Sequence, residues 1–471
     1  MPPVPAGGVH LNRLTGDIMQ TEISNTTHLI GAPSRVVSQI KERLTFVNPK
    51  WLENDRMGRW NGETSRVLKC YDIDDDGCLL APRGFTGQLL AMLKKDGISP
   101  SLIDNTRELD AVDFQFQGSL RPFQERAVAD ILPRRFSTLA APTGSGKTVM
   151  ALYLIAERRQ PALVVVHTKE LLNQWIDRAE QFLDIPAEEI GIIGAGKRTI
   201  GNRITIATVQ SLYKCSQDVY PYIGHLLVDE CHRAPSRTFT EAVTAFDCRY
   251  MLGLSATPWR RDKLSKLIFY YLGDVHHQVD KAELQNAGHI MRAQVTTRET
   301  NFIPYCDPST EYSAMLRELT ADYERNRLIA ADVASQIGNG VALVLSDRKE
   351  HCRSLASILD KHHGIEAAVL TGDVPAKQRE EIVQMINRGD VKVLVATGQL
   401  IGEGFDCKHL STLFLATPIR FSGRLLQYVG RVLRPDAGKA APKVFDYVDV
   451  NVGPLIAAAK ARQRVYQNEA A

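Results

Sequence analysis

The chain contains 471 residues, which is more than one hydrophobic core usually supports and predicts two or three domains. Hydrophobic residues make up 44% and charged residues 24%, a composition that excludes a disordered or fibrous protein. The net charge of +3 is too small to indicate a polyanionic partner by itself.

Cysteine spacing and hydropathy further narrow the class of protein to which the chain can belong. The eight cysteines form no C-x-x-C pair, which argues against a zinc module or an iron-sulfur cluster and favours reduced thiols. The N-terminus lacks a basic start followed by an apolar run, and no stretch approaches the roughly 18 apolar residues of a membrane span. We therefore expect a cytoplasmic protein without a membrane partner.

The first 110 or so residues contain no regular series of apolar runs. They carry the acidic stretch "DIDDDG" (72–77) and two tryptophans, Trp51 and Trp60. We expect a separate small α+β domain over residues 1–110. The tryptophans either fill a small core or stack on nucleic acid, and the sequence leaves both alternatives open.

From about Phe114 onward, short apolar runs alternate with longer helical patterns, which predicts parallel sheets with crossover helices. The first series of predicted strands comprises 137–141, 162–167, 203–208, 225–230 and 251–257. A mixed polar segment at about 273–307 is a candidate hinge. The second series comprises 341–346, 367–370, 391–396, 412–416 and 443–450. We expect an α/β fold with two tandem lobes, 111–285 and 286–471.

The stretch "APTGSGKT" (141–148) lies between the first predicted strand and a helical pattern, which is the order that a phosphate-binding loop requires. Glycines let the backbone N–H groups turn toward phosphates, and the helix N-terminus adds its positive end. Lys147 is expected to reach the β- and γ-phosphates of ATP, and the Thr148 hydroxyl is expected to hold Mg²⁺. The predicted phosphate-binding residues are Gly144, Ser145, Gly146, Lys147 and Thr148.

The stretch "VDECH" (228–232) places two carboxylates at the end of a predicted strand of the same sheet, at the edge where ligands of open α/β sheets bind. We expect Asp229 to coordinate Mg²⁺, mostly through water, and Glu230 to orient and deprotonate the attacking water. The alternative is that the carboxylates only cap a helix. A phosphate-binding loop upstream favours the catalytic interpretation.

The stretch "LLQYVGRVLRP" (425–435) has Gln427, Gly430, Arg431 and Arg434 at i, i+3, i+4 and i+7. On a helix this spacing puts them on one face. We expect Arg431 and Arg434 to complete the γ-phosphate site from the second lobe as arginine fingers, with Gln427 positioning water or a finger. The alternative is a solvated basic helix end.

Together these motifs resemble those of superfamily 2 helicases, in order from Gln124 to Pro435. The resemblance identifies both lobes as RecA-like and implies that Gln124, in "LRPFQ", contacts adenine. It implies nucleic-acid backbone contacts by Thr168, Thr208, Thr371 and Thr397. It further implies that Gly404 and Asp406 sense the nucleotide. Hydrolysis would be coupled to strand movement through His232, Ser255 and Thr257.

The carboxylate motif in its DECH form, with "LSATPWRRDK" (254–263), resembles double-strand translocases of the xeroderma-pigmentosum-B and phage UvsW kind more than RNA helicases. That resemblance implies a DNA-stimulated ATP hydrolase with ATP and Mg²⁺ as cofactors and a DNA-binding N-terminal domain. The expected partner is duplex, forked or branched DNA, contacted mostly through its backbone, in a bacterial or phage-infected cell. We expect a monomer and name no protein partner. An RNA helicase and the motor subunit of a restriction or defence assembly remain alternatives.

Overall fold

The computed structural model describes residues 19–233, 237–256, 264–338, 340–402, 407, 409–419, 425, 428–430 and 441–470. Within them lie three main sheets, one in the N-terminal region and one in each lobe, and a separate two-stranded ribbon. None of the described helices is long and apolar enough to cross a lipid bilayer.

The N-terminal region is an α+β domain, as the sequence predicts. Its strands are β1 (Gln20–Ile23), β2 (Thr26–Ile30), β3 (Thr45–Val47), β4 (Val67–Lys69), β5 (Asp72–Ile73), β6 (Leu79–Pro82) and β7 (Ser101–Asp104). Its helices are α1 (Ser34–Arg43), α2 (Pro49–Arg56) and α3 (Thr86–Lys95). The sheet order is β5-β6-β2-β1-β7, and β3 pairs with β4 as a separate ribbon. Only the β1–β7 pair of this sheet is parallel.

The first lobe is an eight-stranded sheet flanked by helices. Its strands are β8 (Phe136–Ala140), β9 (Ala162–Val166), β10 (Gly191–Gly194), β11 (Lys197–Arg198), β12 (Ile204–Thr208), β13 (His225–Val228), β14 (Tyr250–Ser255) and β15 (Val275–Gln278). Its helices are α4 (Pro122–Ile131), α5 (Lys147–Arg158), α6 (Lys169–Leu183), α7 (Val209–Tyr213), α8 (Ser216–Val219), α9 (Arg237–Thr244), α10 (Ser265–Leu272) and α11 (Lys281–Asn286). The order is β11-β10-β12-β9-β13-β14-β8-β15, and every pair except β10–β11 is parallel.

The second lobe is a six-stranded parallel sheet in the order β16-β21-β20-β17-β19-β18. Its strands are β16 (Gln294–Thr300), β17 (Val341–Ser346), β18 (Ala368–Leu370), β19 (Val393–Thr397), β20 (Leu410–Leu415) and β21 (Lys443–Asp449). Its helices are α12 (Tyr312–Ala321), α13 (Tyr323–Ser335), α14 (Lys349–His363), α15 (Ala376–Arg388), α16 (Gly398–Gly402) and a C-terminal helix, Gly453–Ala470.

All ten strands predicted from apolar runs are confirmed, with no end shifted by more than two residues. The candidate hinge segment is more structured than its polar sequence indicates. It contains β15 and β16, which are edge strands of two different sheets. The chain therefore passes from one lobe to the other between residues 279 and 293.

The N-terminal domain packs against α10 of the first lobe. The Tyr270 ring lies 5.7 Å from the Phe46 ring and 5.2 Å from the Phe85 ring, measured between centroids. Arg83, which is buried, donates a hydrogen bond of 2.7 Å to the Cys248 carbonyl. The two units therefore share one hydrophobic cluster with a buried polar contact beside it.

Neither tryptophan of the N-terminal domain belongs to that cluster. The Trp60 side chain is 91% exposed, and Trp51 is half-buried beneath the Arg66 guanidinium group, 5.3 Å from the ring centroid. The core-filling interpretation is therefore wrong for Trp60.

Candidate nucleotide-binding site

The loop between β8 and α5 contains two positions whose backbone conformation favours glycine. Gly144 and Gly146 have φ angles of +88° and +80°, in the left-handed region. A Cβ atom at position 146 would lie 2.5 Å from Gln124 Nε2, so the close approach also requires glycine there. Gly146 is the N-cap of α5, which leaves the positive end of that helix facing the loop.

Gln124 links α4 to this loop. Its Oε1 accepts a hydrogen bond from the Arg121 backbone N–H, and its Nε2 donates one to the Ser145 carbonyl, both at 2.9 Å. The side chain is buried and supports the loop from behind. Its contact with adenine stays a prediction.

The polar groups of the loop fit a triphosphate. Lys147 Nζ donates to the carbonyls of Ala141 and Pro142 at 3.1 and 3.5 Å, so the ammonium group lies over the loop. Ser145 Oγ is buried and makes no hydrogen bond to the described residues. Thr148 follows in the first turn of α5 and is half-buried. Phosphate oxygens would satisfy these donors, as buried polar groups require.

The two carboxylates follow β13. Asp229 is buried; its Oδ2 accepts a hydrogen bond of 2.9 Å from Trp175 Nε1, and its Oδ1 accepts one of 2.8 Å from the Glu230 N–H. Burial and the neighbouring Glu230 carboxylate raise the pKa of Asp229, against the opposing effects of Trp175 and Lys147. A bound divalent cation would offset this repulsion, so the pair fits Mg²⁺.

Trp175 is a site residue that sequence reasoning missed. It lies on α6, and its side chain is buried against Asp229. Its position within "HTKELLNQW" (167–175) was the available signal, but only the folded chain shows that the indole holds a carboxylate.

Glu230, His232 and Ser255 form a connected group. Glu230 has a φ angle of +49°, which is uncommon for a residue with a Cβ and is often found at functional sites. Its Oε2 lies 3.2 Å from His232 Nδ1, and the same nitrogen lies 3.1 Å from Ser255 Oγ. The structure therefore brings together two of the predicted coupling residues and the predicted base. Thr257 lies outside the described residues.

The four threonines occupy equivalent places in the two lobes. Thr168 and Thr208 follow or end the adjacent strands β9 and β12, while Thr371 and Thr397 do the same for β18 and β19. The Thr168 hydroxyl accepts a hydrogen bond of 3.3 Å from the Leu171 N–H and so caps α6. Each lobe thus carries two threonines at the carboxyl edge of its sheet, and their contacts with nucleic acid stay predictions.

The second lobe reaches the phosphate loop through residues 428–430. Tyr428 and Val429 are buried, and Gly430 lies so near the loop that a Cβ atom there would be 2.6 Å from Thr143 Cβ. Gly430 directly precedes Arg431 in the chain. The predicted residues Gln427, Arg431, Arg434, Gly404 and Asp406 lie outside the described residues.

Comparison with known proteins agrees with this arrangement. The family model for the res subunit of type III restriction enzymes matches residues 117–260, and the model for the helicase conserved C-terminal domain matches residues 325–436. A mimivirus protein (Acanthamoeba polyphaga mimivirus) provisionally named ATP-dependent RNA helicase L396 is 26% identical over 77% of this chain and 70% of its own.

Two further relatives are named for action on DNA. The DNA 3'-5' translocase XPB2 of Sulfurisphaera tokodaii is 25% identical over 67% of this chain and 78% of its own. The ATP-dependent DNA helicase uvsW of Enterobacteria phage T4 is 24% identical over 85% of this chain and 83% of its own.

A solved structure supports the two-lobe fold. S. cerevisiae Dbp5 bound to RNA and ADP BeF3 superposes with a TM-score of 0.54 and 16% identity, covering 73% of this chain and 87% of that chain. At this identity the likeness shows the fold alone, which is that of two RecA-like lobes.

Proposed function

We propose that this chain, which belongs to the superfamily 2 helicases of the XPB and UvsW type, hydrolyses ATP to move along or unwind double-stranded or branched DNA in repair, recombination or replication. The observation that carries the proposal is the approach of Gly430 to Thr143. It brings the second lobe against the phosphate loop of the first, so lobe closure follows nucleotide binding and completes the site for hydrolysis.

Hydrolysis is assigned to residues of both lobes, with Arg431 and Arg434 of the second lobe as arginine fingers and the remaining groups from the first lobe. Lys147 binds the β- and γ-phosphates, and Glu230 orients the attacking water and takes its proton. Thr148 and Asp229 hold Mg²⁺, which neutralises charge on the phosphate oxygens when bound. The Trp175 indole fixes the orientation of the Asp229 carboxylate through the 2.9 Å hydrogen bond.

We assign the coupling of ATP hydrolysis to movement along nucleic acid to the connected group of Glu230, His232 and Ser255. Ser255 ends β14, and that strand shares a hydrophobic cluster with Cys231 and with α10, the helix against which the N-terminal domain packs. A change at Glu230 during hydrolysis therefore has a short physical route to the domain that we propose engages DNA.

The segment 45–69, which we name the α2 arm, supports DNA as the partner. Helix α2 buries none of its side chains, and the arm exposes four large apolar ones: Val47, Leu52, Met57 and Trp60. It carries five basic residues (Lys50, Arg56, Arg59, Arg66 and Lys69) against three acidic ones. An exposed aromatic among cations suits a nucleic acid, because bases stack on the ring while phosphates attract the charges.

Two alternatives have specific support. An RNA substrate is favoured by the name of the mimivirus relative. The motor subunit of a restriction assembly is favoured by the family match over residues 117–260, and co-purification of a nuclease partner would test it.

The substrate is tested by steady-state ATPase assays without nucleic acid and with duplex, forked, four-way-junction and single-stranded DNA, beside RNA of matched sequence. We expect DNA to stimulate turnover and forked or four-way DNA to stimulate it most. Stimulation should fall with added salt, because phosphate contacts release counterions. Equal or greater stimulation by RNA would refute the DNA assignment.

The nucleotide site is tested by two variants in the same assay. Lys147→Ala removes the cation that binds the phosphates, so both binding and turnover should fall. Glu230→Gln keeps the hydrogen-bonding shape without the base, so ATP should remain bound in a closed complex that does not turn over. Normal ATPase activity in either variant would end the assignment of that residue.

A further inference from the structure

A cluster of three side chains with metal-ligand chemistry lies in the N-terminal domain, on elements that contribute nothing to the nucleotide site. It consists of His28, Asp74 and Cys78, which we name the hairpin cluster. One ring nitrogen, one carboxylate oxygen and one Sγ atom all lie within 4.8 Å of one another, and the three residues are half-buried.

Strand register explains why these residues meet. His28 on β2 pairs with Leu80 on β6, which also pairs with Asp72 on β5. Side chains two residues apart on a strand point to the same face. Cys78 precedes Leu80 by two residues and Asp74 follows Asp72 by two, so both lie on the face that carries His28.

The hairpin turn fixes the direction of the carboxylate. Asp74 Oδ1 accepts hydrogen bonds from the backbone N–H groups of Asp76 and Cys78, at 3.1 and 2.7 Å. Its second oxygen, Oδ2, is thereby directed to His28 and lies 2.6 Å from the ring Nε2. That nitrogen is shielded from solvent, and its contact with Oδ2 has the length of an ion pair, so a metal ion would bind between the two groups in place of a proton.

Local charge favours cation binding at the cluster, because the turn between β5 and β6 carries three consecutive carboxylates, Asp74, Asp75 and Asp76. Metal binding would displace the proton of the Cys78 thiol.

We propose that His28, Asp74 and Cys78 form a binding site for a zinc-type transition-metal ion, with the fourth position left to water. Nitrogen and sulfur ligands select such an ion over Mg²⁺ or Ca²⁺, which prefer oxygen. Zinc bonds of about 2.0–2.3 Å in a tetrahedral site separate the ligand atoms by about 3.3 Å or more, so His28 and Asp74 move apart by less than about 1 Å on binding.

Bound metal joins β2 to the β5–β6 hairpin and thereby stabilises the N-terminal domain. The site does not depend on the proposed DNA helicase activity. No sequence pattern indicates this site, because residues 28, 74 and 78 match no ligand spacing and meet only through sheet pairing.

The test is a Co²⁺ titration of the reduced full-length chain without nucleotide or Mg²⁺. We expect thiolate-to-cobalt charge-transfer absorption that saturates near one equivalent and is displaced by Zn²⁺. Cys78→Ser should abolish this absorption, and His28→Asn should weaken Co²⁺ binding by more than about tenfold. Cys306→Ser is the matched control, because Cys306 is also half-buried and lies beside carboxylates, yet belongs to the second lobe. It should leave the absorption unchanged.

A second readout guards against variants that fold poorly. Zn²⁺ should raise the unfolding temperature of the wild-type chain and of Cys306→Ser, but not that of Cys78→Ser. Absence of the charge-transfer band in the wild-type chain, or its survival in Cys78→Ser, would overturn the proposal. ATPase activity of Cys78→Ser should match the wild type, so failure of the metal site is distinguishable from failure of the helicase assignment.

Discussion

Replacing Gly430 with alanine tests whether the second lobe must touch the phosphate loop for hydrolysis. The added Cβ would lie 2.6 Å from Thr143 Cβ and 3.1 Å from both Thr143 Cγ2 and Oγ1, whereas ordinary van der Waals contact is 3.4–4 Å. Either residues 428–430 or Thr143 must therefore retreat by about 1 Å in the closed state.

The cost of that retreat sets the expected magnitude. Adding a methyl group to a filled contact costs about 1–3 kcal/mol. Alanine stabilises a helix by up to about 1 kcal/mol relative to glycine, but this gain is the same in the open and closed states and does not favour closure. The closed state should therefore lose about 1–3 kcal/mol, which slows hydrolysis about 5- to 150-fold.

The assay is single-turnover hydrolysis at saturating ATP and DNA, paired with a nucleotide titration. Gly430→Ala should lower the rate and leave ATP affinity nearly unchanged, because the phosphate-binding residues belong to the first lobe. Gly87→Ala is the matched control, since Gly87 is also helical and a Cβ there would meet nothing within 4 Å.

Adding Thr143→Gly to Gly430→Ala removes the atom that the new methyl group meets, and should restore part of the lost rate. A Gly430→Ala rate within twofold of the wild type would refute the closure argument. An equal loss in Gly87→Ala would show that the effect is general instability.

Substitutions at three further sites test the other assignments. Trp175→Phe removes the donor to the buried Asp229 carboxylate, a hydrogen bond worth about 1.5–3 kcal/mol. The Mg²⁺ concentration for half-maximal ATPase should therefore rise about 10- to 150-fold, and an unchanged Mg²⁺ dependence would contradict this. Arg431→Ala should lower kcat by up to about 10³- to 10⁵-fold with little loss of nucleotide affinity. Arg431→Lys should restore little of that activity, because lysine lacks the planar guanidinium group. A loss in kcat below about fivefold for the alanine variant would favour a solvated helix face. Trp60→Ala should weaken binding of forked DNA by about 1–3 kcal/mol. Trp51→Phe should not weaken it, because the Trp51 ring is already covered by a guanidinium group. Equal losses of DNA binding in the two variants would contradict a stacking role for Trp60.

The central strands were predictable because of how parallel sheets are buried. Strands β9, β12 and β13 are covered on both faces, so their sequences read as continuous apolar runs. Two of the strands that escaped prediction, β15 and β16, have less apolar contact: β15 reads VHHQ and β16 reads QVTTRET, and most of their side chains are partly or fully exposed. At a sheet edge the neighbouring strand, rather than the strand's own hydrophobicity, fixes the conformation.

The candidate site divides in the same way. The glycines of the phosphate loop lie within one short stretch of sequence, and the two carboxylates after β13 lie within another. Local sequence patterns therefore reveal both. The hydrogen bond from Trp175 to Asp229 joins residues 54 positions apart, and Gln124 supports a loop 21 positions away, so both need the folded chain. The same holds for the hairpin cluster.

The packing of the N-terminal domain on α10 has a mechanical consequence. Releasing the domain from the first lobe would expose Tyr270 and break the buried bond from Arg83 to the Cys248 carbonyl. The contact therefore favours movement of the two units together, and the α2 arm moves with them. If DNA binds that arm, as proposed, it keeps its position relative to the first lobe, and the step along DNA equals the displacement of the second lobe.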